Sequence, residues 1–80
     1  MRIAVIEDER PIREGLVHIL NKISPEYQVV GSAENGREGL ILLEEQDPDL
    51  ILLDMIMPLL SGMDTARELR QHDPHVPIIF

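Results

Sequence analysis

Two groups of acids stand directly after apolar runs in this sequence: Glu7-Asp8 follows Arg2 to Ile6, and Asp54 follows Leu50 to Leu53. In open parallel sheets, ligands bind outside the carboxyl ends of the strands. If these two runs are neighbouring strands, Glu7, Asp8 and Asp54 share one pocket. Three carboxylates cannot crowd together as anions without a cation, a trapped proton or abundant water. Magnesium resolves the repulsion best, because it takes one or two carboxylates and keeps waters for phosphate oxygens. The chemistry such a site would do is phosphoryl transfer. A plainer reading stays open, in which acids at strand ends only solvate the loop openings; two strands that both end in acids weaken it.

The elements needed to position these acids are legible. Arg2 to Ile6 is a β-branched run without polar alternation, as in a strand covered on both faces. Pro11 suits a first helical turn, and Ile12, Leu16, Ile19, Leu20 and Ile23 follow at helical spacing until Ser24-Pro25. Gln28 to Ala33 reads as a second strand. Asn35-Gly36 then turns into a short helix that buries Leu40 and Leu43, with Gly39 costing about 1 kcal/mol relative to alanine. Leu50 to Leu53 gives the strongest buried-strand signal. A loop from Met57 to Gly62 leads to a third helix, about Asp64 to Gln71, with Ala66 and Leu69 inward, and Val76 to Phe80 begins a fourth strand. Alternating strands and helices at these intervals predict an α/β fold with right-handed parallel crossovers.

Composition narrows the function classes. The 80 residues make one small domain, which buries only about 60% of its unfolded surface. With no cysteine, disulfides and thiolate metal sites are excluded, and a reducing cytoplasm is the expected compartment. No apolar run approaches the roughly 20 residues that span a bilayer, so no membrane role is expected. A net charge of −8 repels nucleic acid, so any DNA binding belongs to another segment.

The acidic pair Glu7-Asp8 and the run Asp54-Met55-Ile56-Met57-Pro58-Leu59-Leu60-Ser61-Gly62 together resemble the receiver domains of two-component response regulators. Those domains begin with a strand ending in an acidic pair and carry a later strand ending in Asp-x-x-Met-Pro-x-x-x-Gly. The resemblance runs from Met1 to Phe80 and includes Asn35-Gly36. It implies a flavodoxin-like three-layer sheet, strand order 2-1-3-4, with residues 1–80 as the portion from the first to the fourth strand. It also implies Asp54 as phosphoacceptor, Asp8 and Asp54 as Mg2+ ligands, the Ile56 backbone carbonyl as a third ligand, and Glu7 as a ligand through water. Glu7 departs from the more usual Asp, and its extra methylene shifts that carboxylate toward metal or phosphate. Met57-Pro58 and Gly62 are expected to shape the loop. The implied partner is a sensor histidine kinase, the implied output is transcription through a further domain, and the module is a phosphoacceptor and not a turnover enzyme.

In the family, a Ser or Thr after the fourth strand and a Lys on a fifth strand contact the phosphoryl group; both lie beyond Phe80. The 80-residue chain is therefore expected to transfer slowly and to self-associate through the fourth strand and the stripe of the first helix. The competing reading is a non-catalytic interaction fragment with a vestigial acidic pocket. An Asp-nucleophile phosphatase of the haloacid-dehalogenase kind is disfavoured, since Ile56 stands where a second Asp would be needed. His18, His72 and His75 lack the spacing of a zinc site. Arg67 and Arg70 are expected to be solvated or paired with Glu68 and nearby acids.

Overall fold

A computed structural model of the chain describes residues 1–54 and 62–80. The elements run β1 (Arg2–Ile6), α1 (Arg10–Ile23), β2 (Gln28–Ala33), α2 (Gly36–Gln46), β3 (Leu50–Leu53), α3 (Gly62–His72) and β4 (Ile78–Ile79). The four strands form one parallel sheet in the order β2-β1-β3-β4, the order expected from the sequence.

Alternation along the strands assigns the two faces. Ala4 and Ile6 of β1 and Ile51 and Leu53 of β3 pack with Leu43 of α2, Leu69 of α3, Ala33 and Val76 into the main core. Ile3 and Val5 point to the α1 side, also fully buried. Helix α1 covers that side loosely: no residue of it is buried, and Ile12, Ile19 and Ile23 remain largely exposed. An apolar cavity of about 300 Å³ opens there between Val5, Leu16, Leu52, Ile79 and Phe80.

Local signals explain most element ends. Pro11 lies in the first turn of α1, where its missing N–H costs nothing. The Asn35 side chain caps α2 by accepting from the Glu38 N–H at 2.9 Å, and Asp47 closes that helix in the left-handed region at φ 47°. Gly39 has a reason that helix propensity hides. A Cβ there would lie 2.4 Å from Ile6 Cδ1, so α2 approaches β1 closely enough that any side chain at 39 would force Ile6 to shift.

Three expectations need correction. β4 is only Ile78–Ile79 and does not run from Val76 to Phe80. Pro77 has no N–H for a ladder, although its carbonyl accepts from the Ile51 N–H at 2.9 Å. Helix α3 starts at Gly62, two residues earlier than expected, so Gly62 belongs to the helix. Arg70 is not simply solvated or acid-paired: its guanidinium donates to the Val76 carbonyl and ties α3 to the entry of β4. Arg67 does pair with an acid, Asp64, at 3.3 Å. No helix of the described residues is long and apolar enough to cross a membrane.

Candidate functional site

The adjacency of β1 and β3 brings the three acids together. Register pairs Ile6 with Leu53, which places Glu7 and Asp54 next in line at the two strand ends. One further ladder bond fixes each backbone. The Glu7 N–H donates to the Ala33 carbonyl at 3.0 Å, and the Asp54 N–H donates to the Ile6 carbonyl at 2.9 Å. Period-two alternation then sets Glu7 after Val5 and Asp54 after Leu52, so both line the mouth of the α1-side cavity. Asp8 comes from the turn into α1.

One carboxylate oxygen from each of Glu7, Asp8 and Asp54 lies within 4.8 Å of the others. Glu7 is buried, while Asp8 and Asp54 are half-buried. The Glu7 carboxyl is pushed up from 4.5 to about 7. Burial is the largest cause; a hydrogen bond with Asp54 and the negative charges of Asp54 and Asp8 add to it, opposed by a hydrogen bond from the Asp8 backbone. The second oxygen, Glu7 Oε2, is buried without a hydrogen-bond partner among the described residues.

That orphaned oxygen tests whether a cation fits. A buried carboxylate oxygen left unpaired costs on the order of 1–3 kcal/mol or more, and a hard divalent ion between three carboxylates would satisfy it. The donors are all oxygen, as magnesium or calcium requires and as a soft metal does not. The residues present therefore fit a hard divalent cation.

The structure brings together three of the four residues expected at the site. The Ile56 carbonyl, with Met57 and Pro58, lies outside the described residues. The histidines are elsewhere: His18 is exposed on α1, and His72 Nδ1 lies 3.7 Å from Glu44 between α2 and α3. Sequence reasoning missed Arg13. Its Nη1 donates to the Glu7 backbone carbonyl at 2.9 Å. Arg13 stands in the first turns of α1, close to the acids in sequence, but an Arg bonded to a backbone carbonyl leaves no mark in a sequence.

Comparison with known proteins identifies the family of the chain. The chain is 37% identical over 79 residues to the transcriptional regulatory protein DegU of Brevibacillus brevis, covering 99% of this chain and 33% of that protein. It is 35% identical over 78 residues to the chemotaxis protein CheY of Thermotoga maritima, covering 98% and 63%. The crystal structure of a LuxR-family two-component response regulator from Aurantimonas sp. SI85-9A1 superposes with a TM-score of 0.88 at 31% identity, over 96% of this chain and 54% of that one. The chain thus spans about a third of the length of the DegU regulator. The sequence model of the response regulator receiver domain matches residues 3–80, and the chain belongs to that family.

Proposed function

We propose that residues 1–80 are the β1-to-β4 portion of a phosphoacceptor receiver module and that Asp54 takes a phosphoryl group from a sensor histidine kinase. The observation that carries this reading is the acid cluster at the ends of β1 and β3 with its buried, partnerless Glu7 Oε2. The Asp54 carboxylate attacks phosphorus in line, a P–O bond forms, the P–N bond of the phosphohistidine breaks, and the imidazole leaves with its proton. Asp8 and Asp54, with Glu7 through water and the Ile56 carbonyl, would hold Mg2+. When bound, the ion neutralises charge on the phosphoryl oxygens. Val5 and Leu52 back the pocket with apolar surface, which strengthens electrostatic interactions inside it. The product is a mixed anhydride, so the module is consumed and regenerated and does not turn over a separate substrate. The acidic surface leaves DNA to an output domain, whose regulation of transcription belongs to a longer protein; a cysteine-free chain suits the cytoplasm.

Magnesium titration followed by amide chemical shifts tests the pocket. Shifts are expected at residues 7–9 and 54 at millimolar metal, and Asp8→Asn is expected to weaken binding about tenfold or more. Shifts confined elsewhere would remove the reading.

We also propose that the 80-residue chain self-associates through β4 and α1. β4 is a sheet edge, Ile79 and Phe80 are 52% and 59% exposed, and Ile12, Ile19 and Ile23 of α1 are similarly open. An uncovered apolar edge is a template for pairing with a second copy, and each covered Ile contributes roughly 1.5–3 kcal/mol. Sedimentation over a wide concentration range should show a dimer; a compact monomer at the highest concentration contradicts it.

A further inference from the structure

We propose that Arg13 is a positioning residue for the cation pocket, acting by clamping the peptide unit that joins Glu7 to Asp8; the proposal rests on the reading of that pocket as a Mg2+ site. The turn from β1 into α1 carries two of the three acids. Glu9, at the N-cap of α1, makes no side-chain capping bond. Its carbonyl accepts from the first turn of α1, the Arg13 N–H at 2.9 Å. The Glu7–Asp8 peptide is held by its carbonyl, which accepts from Arg13 Nη1 at 2.9 Å. On the other side, the Glu7 N–H is anchored on Ala33 of β2.

This arrangement fixes where both carboxylates point. Rotation of the Glu7–Asp8 peptide plane would swing the Asp8 Cα–Cβ bond and break the bond from Arg13 Nη1 to the Glu7 carbonyl. The guanidinium opposes that rotation from α1, an element that the turn itself begins. Arg13 is half-buried and lines a cleft with Ser32, Ala33, Glu34 and Glu38. A charged donor to a carbonyl is among the stronger hydrogen bonds, and a planar fork is pre-organised so that little entropy is lost in forming it. A lysine has the charge without the fork.

Arg2 supplies an internal control. Its guanidinium also donates to a backbone carbonyl, that of Gln46, at the opposite end of β1. Arg2→Ala removes the same kind of bond far from the acids. Three variants, Arg13→Ala, Arg13→Lys and Arg2→Ala, are compared with the parent chain for amide exchange without metal, Mg2+ dissociation constant by chemical shift, and thermal unfolding.

Arg13→Ala is expected to speed exchange of the Glu7 amide, which is bonded to the Ala33 carbonyl, without metal and to raise the Mg2+ dissociation constant about tenfold, the usual scale for losing a group that orients a ligand. Arg13→Lys should recover part of the affinity. Arg2→Ala should leave both unchanged even where it lowers the unfolding temperature as much. Equal Mg2+ affinity in Arg13→Ala and parent, with Mg2+ still bound at the acids, overturns the role of Arg13 and leaves the pocket standing. Equal weakening in Arg2→Ala shows a general loss of stability and overturns it too. Failure of the parent chain to bind Mg2+ removes the pocket reading and this proposal with it.

Discussion

Asp54→Asn is expected to reduce Mg2+-dependent phosphorylation by acetyl phosphate to below about 1% of the parent rate, the largest functional effect of any single change in this chain. The substitution keeps the volume and the backbone bond from the Asp54 N–H to Ile6, but an amide oxygen is a poor nucleophile toward phosphorus and cannot form the mixed anhydride. Losses of a hundredfold or more are usual for one pre-organised charge contact, and here the attacking atom itself is changed. The fold should not suffer. Asp54 raises the Glu7 carboxyl by its charge, so removing that charge relieves repulsion, and the unfolding temperature should hold or rise. Radiolabel from acetyl phosphate and a thermal melt, taken on the same samples, separate the two effects. Labelling of Asp54→Asn at the parent rate would place the acceptor elsewhere.

The second large effect is on stability and runs through Glu7. Its carboxyl is raised from 4.5 to about 7 in the folded chain, so between those values the folded state holds a proton that the unfolded state has released. A raised pKa therefore contributes stability that is fully present below about 4.5 and is lost as pH rises through about 7. One unit corresponds to about 1.4 kcal/mol, which bounds the effect at roughly 3 kcal/mol. Water reaching half-buried Asp8 and Asp54 reduces the realised part to on the order of 1–2 kcal/mol. That is a large share of a typical domain stability of about 5–15 kcal/mol. Denaturant unfolding without metal, followed between pH 4.5 and 8, should show the loss. Glu7→Gln should flatten the profile, and added Mg2+ should restore stability at the alkaline end by taking the proton's place. A metal-free stability that climbs across this window would contradict the burial and charge assigned to Glu7.

How far the sequence carried can be judged element by element. The bounds of β1, β2 and β3 came out as read: β1 and β3 are short apolar runs closed by acids, the mark of parallel strands covered on both faces, and β2, a more polar and half-exposed edge strand, ends just before Glu34-Asn35-Gly36. The site followed from the same logic. Once β1 and β3 are neighbours, Glu7 and Asp54 have no other place to be. What stayed hidden depends on tertiary approach. Gly39 looks like a weak point of α2 until Ile6 is seen against it. The exposure of Ile12, Ile19 and Ile23 on α1, by contrast, is what the sequence led one to expect of that stripe. β4 was read too long because Val76 is buried without being a strand residue: its N–H goes to Asp73 Oδ1 at 3.1 Å. The Arg13 clamp joins a side chain to a backbone carbonyl and carries no sequence pattern.

The central claim is that the acids at the ends of β1 and β3 form a Mg2+-dependent phosphoacceptor pocket. Its most direct test is to expose the parent chain to acetyl phosphate with and without Mg2+, reduce the product with borohydride, and map the modified residue by peptide mass spectrometry. The account predicts conversion of Asp54 to homoserine, the reduction product of an aspartyl phosphate, only in the sample with Mg2+. Modification at Glu7, Asp8 or a histidine in place of Asp54, or equal modification of Asp54 without Mg2+, would contradict it.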